Sequence, residues 1–416
     1  MSNGRGPLRE IAWQEVFPWL ILLRAFRLAI GFRVLLLAAL ALIAVVAGWR
    51  LIGWAFSGAD SEALRAWIAV QSVWPWQEGF GAAGELTYTL DSAAARTRDL
   101  PIVGSWLDAG PVVRTWMYLS APFRALFQAD LEAAGLAYSL LCCLWAVFVW
   151  ALFGGAVTRI AAVALTRGQS IGMGQALAHA RGRFTAYLLA PFMPLVGVLL
   201  IALVLALFGL VMRLDLGVLL AGIVWPLVLM AGLLMTILLL GLLFGWPLMW
   251  PTISAENTDA FDALSRSYAY VYQRPLRLVL YAFVVSLIGL AGLVIVSLFV
   301  DSVVYFSLLA VSWGMGEEQT DSLMQAFQGV GSLEQDRAAR VGVWLIQFWS
   351  ALVQMLVIAF QFAFFWVSAT AIYLLLRRAV DATDMDEVYL DDAGAAPLPP
   401  LETDPHAVPG VKPESP

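Results

Sequence analysis

Six apolar stretches constrain this chain more than any other feature. They fall at roughly 34–56, 131–157, 185–211, 216–252, 278–300 and 341–376. Each is about 20 residues or longer, the length that crosses a hydrocarbon core as a helix. None alternates apolar with polar residues, so a strand reading fails. Inside lipid a backbone satisfies itself only as a helix or a closed barrel. Only 13% of residues are charged, about half the usual share in soluble domains. The expected fold is therefore all-α: a polytopic bundle of six transmembrane helices with amphipathic interfacial helices.

Between the apolar runs lie short polar segments of one recurring kind. Glu256–Arg277 is the clearest. Asn257 or Thr258 can cap a helix there, and Asp259 and Asp262 suit its first turn. At 100° per residue Phe261, Leu264, Tyr268, Val271 and Tyr272 share one arc, opposite Asp259, Asp262, Arg266 and Gln273. Asp262 and Arg266 form an i,i+4 pair. Phe261, Leu264, Arg266, Tyr268 and Tyr272 are thus a candidate interfacial or partner face. A second such helix follows Ser170, with Met173, Ala176, Leu177, Ala180 and Phe184 on one side. The basic segment Val16–Arg33 stands in the same place before the first span. The plan predicts three αα-hairpin repeats in one orientation.

The domain reading follows. Residues 1–33 form an N-terminal interfacial segment, and 34–380 form the six-span domain. Long outer loops fall at about 57–130 and 304–340. The first of them holds Trp74-Pro75-Trp76 and the helical pattern Val112, Val113, Trp116, Met117, Leu119, expected to rest on the outer interface. Residues 381–416 form an acidic, Pro-rich tail, expected to be disordered. That tail carries nine acids against one lysine; the remainder has 23 arginines against 21 acids. With both termini inside, the inner segments before the tail hold 14 arginines and five acids. The positive-inside rule then sets N-in and C-in.

Chemistry-bearing motifs are sparse. Cys142 and Cys143 are adjacent within an apolar run and offer no metal-ligand spacing, and His179 and His406 are the only histidines. No zinc, phosphate-loop or dinucleotide fingerprint is present. No catalytic residue, metal or cofactor is assigned, and nothing points to nucleic acid. The sharpest intramembrane signal is Gln347, Gln354, Gln361 and Ser368, recurring every seven residues and joined by Ser350. On one helix they form a polar seam. Such a seam either lines a solute path or bonds neighbouring helices together.

The segments Gln175-Ala176-Leu177-Ala178-His179-Ala180-Arg181 and Asp262-Ala263-Leu264-Ser265-Arg266, each followed by a hairpin, carry a resemblance. Over about residues 130–380 the chain is similar to the membrane domains attached to some glycerophosphodiester phosphodiesterases. The resemblance implies a six-helix protein of the bacterial inner membrane. It transfers no site residues, and no phosphodiesterase catalytic domain accompanies it. Two functions stay open: a non-enzymatic scaffold, assembly or regulatory protein, and a transporter or permease for a neutral or lipid-like solute using the Gln-lined sixth span. Expected partners are the lipid bilayer and a protein bound through the 57–130 loop or the 381–416 tail.

Overall fold

A computed structural model describes residues 18–77, 80, 110–126, 132–316, 320–321 and 337–390. In chain order the helices are α1 (Ile21–Ala29), α2 (Phe32–Ala55), α3 (Glu62–Gln71), α4 (Pro111–Ala125), α5 (Ala133–Arg167), α6 (Met173–Gly182), α7 (Phe184–Leu189), α8 (Met193–Val211), α9 (Asp215–Glu256), α10 (Ala260–Gln273), α11 (Pro275–Met315) and α12 (Arg337–Asp381). No strand occurs among the described residues. Six helices, α2, α5, α8, α9, α11 and α12, are long and apolar enough to cross a bilayer. The chain is an all-α multi-pass membrane protein.

The three hairpins are arranged as a ring. The returning spans α5, α9 and α12 touch one another pairwise and form the centre. Each outgoing span, α2, α8 and α11, packs on its own returning partner. The short helices close the ring at one end, here called the cap. There α6 lies along α5, α10 along α9, and α1 along α12. The backbone repeats as well. Each returning span gives way to a residue in the left-handed region: Gly168 (φ 67°) after α5, Asn257 (φ 56°) after α9 and Ala382 (φ 54°) after α12. Such a residue ends a helix and turns the chain back along it. Gly168 does so without steric cost, having no Cβ.

Boundaries depart from the sequence reading where packing extends a helix. The second span continues to Arg167, because residues 154–163 are buried among the cap helices. The fifth and sixth grow to 41 and 45 residues. The third is broken instead. A turn at 190–192 separates α7 from α8, with Pro191 in the turn and Pro194 in the first turn of α8, where a missing N–H costs nothing. Pro226, Pro247 and Pro251 all lie inside α9, whose helix runs through them.

At about 1.5 Å per residue α9 is roughly 63 Å long, twice the hydrocarbon thickness of about 30 Å. About 9 Å of the excess lies past Trp250 at the cap and about 15 Å lies before Trp225 at the far end. At the cap boundary Trp250 stacks on Trp366 with ring centres 4.5 Å apart, and Gly289 of α11 faces Phe364. Roughly 33–37 Å farther along, Trp225, Trp313 and Trp344 reach similar heights on α9, α11 and α12. All three are exposed. The two tryptophan levels are about one hydrocarbon thickness apart, the cap-side pair buried in the core and the far three exposed.

α4 does not rest on the surface. It packs between α5, α11 and α12, burying Tyr118 against Trp49, Phe80 and Phe362. Its small residues, Ser120, Ala121 and Ala125, are buried too and allow the close approach. Residues 78–79, 81–109 and 127–131 of the same loop lie outside the described residues.

Candidate functional site

The polar groups of the cap converge where α9 and α12 end. Glu256, the last residue of α9, receives Arg266 of α10 at 2.6 Å and Arg377 of α12 at 3.2 Å. The Tyr373 hydroxyl donates to the same carboxylate. Three helices therefore meet on one acid. Glu256 and Arg377 are nearly buried, whereas Arg266 is 41% exposed. A carboxylate removed from water needs such donors to offset lost hydration. Next to it the Tyr270 hydroxyl donates to Asp381. Burial pushes the Tyr270 phenol above its ordinary value, and the bond to Asp381 and the nearby carboxylate charges push the same way.

A neutral network continues inward. Ser254 Oγ lies 2.7 Å from both Thr158 Oγ1 and Tyr187 Oη, and Trp250 Nε1 donates to the Tyr187 carbonyl at 2.9 Å. These bonds join α5, α7 and α9. Arg159, buried on α5, donates to the Ser254 carbonyl at 2.7 Å and to the Tyr389 carbonyl at 2.8 Å. Arg183 donates to Asn257 Oδ1 at 2.6 Å. On the other side Arg24 of α1 reaches the carbonyls of Ala164 and Leu165. Guanidinium groups thus tie helix ends together, Arg24 and Arg159 through backbone oxygens and Arg183 through a side-chain amide oxygen.

The tail departs from expectation over its first residues. Segment 382–390 folds back over the cap rather than leaving it. The Tyr389 amide donates to Ala255 at 2.9 Å, Arg377 donates to the Glu387 carbonyl at 2.7 Å, and Val388 is buried. Residues 391–416 lie outside the described residues.

The candidate face of α10 is rotated from the expected arc. The buried stripe is Ala260, Ala263, Ser267, Tyr270 and Val271. Phe261 and Tyr272 are exposed, and Leu264 and Tyr268 are half-buried. Close packing decides this. α10 lies over Gly241 and Gly245 of α9, where Ser267, Tyr268 and Val271 are the neighbouring side chains. Ser267, Val271 and the Tyr268 ring face the crossing, whereas Phe261 and Tyr272 stay outside it. Tyr268 and Tyr272 donate to the carbonyls of Leu238 and Ile237. The expected Asp262–Arg266 pair gives way to Arg266 on Glu256, and the N-cap is Asp259, which accepts from the Asp262 amide. On α6 the buried residues are Ala176, His179 and Ala180.

The polar seam of α12 is divided. Ser368 lies in the core, Gln347, Ser350 and Gln361 are half-buried, and Gln354 is exposed. The reason is the changing surroundings of α12, which is central at the cap and peripheral at the far end. The centre is filled by aromatic side chains. Trp150 stacks on Phe362 at 5.5 Å, and Trp246 contacts Phe365 and Trp366 at 5.7 Å.

Glu256, Arg377, Tyr373, Arg159 and Ser254 were not singled out from sequence. The available signal was a charged or hydroxyl residue at the cap end of each returning run. Among the described residues no three His, Cys, Asp or Glu side chains gather as a metal-holding group. The family model described as a domain of unknown function, DUF7847, matches residues 112–376. No curated protein and no solved structure matches the chain.

Proposed function

The chain belongs to the DUF7847 family, and we propose that it is a non-enzymatic integral membrane scaffold whose cap is a prebuilt docking platform. One observation carries the reading: Glu256 is taken up by Arg266 of α10 and by Arg377 and Tyr373 of α12. A carboxylate with its acceptor sites so occupied holds helices together and does not act as a base. Around it the outward surface of the cap offers Phe261, Tyr272, Arg274 and Arg277, all exposed. In this reading the cap faces the cytoplasm of a bacterial inner membrane, in line with the arginine bias of the inner segments. A protein partner binds the cap beside the 382–390 segment or through the tail beyond it.

A permease reading draws on the glutamines of α12. The placement of Gln354 on the outside, and of Trp150, Trp246 and Trp366 in the centre, favours the scaffold. Two measurements on purified full-length protein decide between them. In proteoliposomes, release of neutral solutes should equal that of empty vesicles. Faster release that Gln354→Leu abolishes would establish the permease. In cells, a photoreactive residue at Phe261 should give a discrete protein adduct, and one at buried Ala263 should give none. Labelling of lipid alone from both positions would remove the docking platform.

A further inference from the structure

Gln354 is exposed on α12 roughly midway between the two tryptophan levels, about 18 Å from Trp366 and about 15 Å from Trp344 along the helix. A primary amide facing hydrocarbon without a partner is costly. At the cap end the continuation of its face is covered. Phe365, on the same arc as Gln354 and Gln361, packs against Trp246 of α9. Farther out Leu227, Leu229, Met230, Leu233 and Leu234 of α9 stand exposed as well. Along the same face exposure rises from half-buried Gln361 to exposed Gln354.

We propose that this face is the contact between two copies of the chain. Three features select that occupant. Gln347, Gln354 and Gln361 recur at seven residues, with Ser350 three after Gln347, the a and d spacing of a helix packed on a parallel neighbour. Two copies inserted the same way are related by an axis along the bilayer normal, which brings each residue to the depth of its own counterpart. An amide is both donor and acceptor, so Gln354 meeting Gln354 of the second copy satisfies both, with no charge to repel. Interhelical amide contacts of this kind hold membrane helices together.

Cross-linking in native membranes tests the contact. In the full-length chain Cys142 and Cys143 are wholly buried, so a single Gln354→Cys reports alone. It should give a dimer with a short thiol cross-linker, and Leu356→Cys, on the opposite side of α12, should not. In bilayers, single-molecule counting under dilution should show dimers, with Gln354→Leu raising the dissociation constant roughly three- to eightfold. The melting temperature of the monomer in detergent should not fall, because Gln354 makes no packing contact in the core. Monomers at every dilution, equal cross-linking at both positions, or an adduct with a different protein would each overturn the proposal.

Discussion

Arg159 and Tyr389, 230 residues apart in sequence, are joined by a hydrogen bond of 2.8 Å from the guanidinium to the carbonyl. The same guanidinium group holds the Ser254 carbonyl and lies 6.0 Å from the centre of the Tyr389 ring. One buried cation thus joins the first returning span, the end of the second and the segment after the third. Replacing Arg159 by Met should free segment 382–390 and cost about 2–3 kcal/mol, the usual penalty for stranding buried hydrogen-bonding groups. Limited proteolysis should then cut near Glu387 where the parent chain resists. Lys at this position should restore little, because it lacks the fork that reaches two carbonyls.

Glu256 and its two arginines are unequal. Glu256→Gln leaves the nearly buried Arg377 without a counter-charge and should cost about 3 kcal/mol in a reversible unfolding titration. Arg266→Met removes an exposed partner and should cost about 1 kcal/mol or less. Equal losses would show that the cap is not held through α12.

Alkaline pH should weaken the cap. Tyr270 has a phenol pKa raised above the ordinary 10.0, so the fold favours its neutral form. Its contribution is complete below pH 10 and is lost as pH rises beyond that value. Tyr268, raised by burial and then by Tyr272, acts in the same direction. The unfolding midpoint should be flat from about pH 7 to 9 and fall above about pH 10. Tyr270→Phe should reduce that fall without removing it.

The crossing of α10 over α9 predicts a contrast between two glycines. A Cβ on Gly241 would come within 2.2 Å of the Tyr268 ring, whereas one on Gly174 would meet nothing within 4 Å. Gly241→Ala should destabilise by about 1–3 kcal/mol through overpacking. Gly174→Ala, inside α6, should stabilise by about 0.5–1 kcal/mol. Thermal unfolding of the two variants in one detergent measures both.

Six spans and three hairpin units were legible in the sequence, because lipid demands unbroken apolar length and a polar turn must follow each crossing. The positions of Ala176 and Ala263 on their helices could also be aligned by period. Which side of α10 is buried could not be read, since Phe261 is more apolar than Ala260 yet lies outside. Closeness to Gly241 and Gly245 overrode hydrophobicity there. The glutamines of α12 were visible as one stripe, but only the packing of its cap half into the centre put Ser368 inside and left Gln354 outside. The joining of Glu256, Arg377 and Arg159 with Tyr389 was equally hidden. Such pairings depend on which helix ends meet in space, and charge patterns along a chain carry no record of partners more than a hundred residues away.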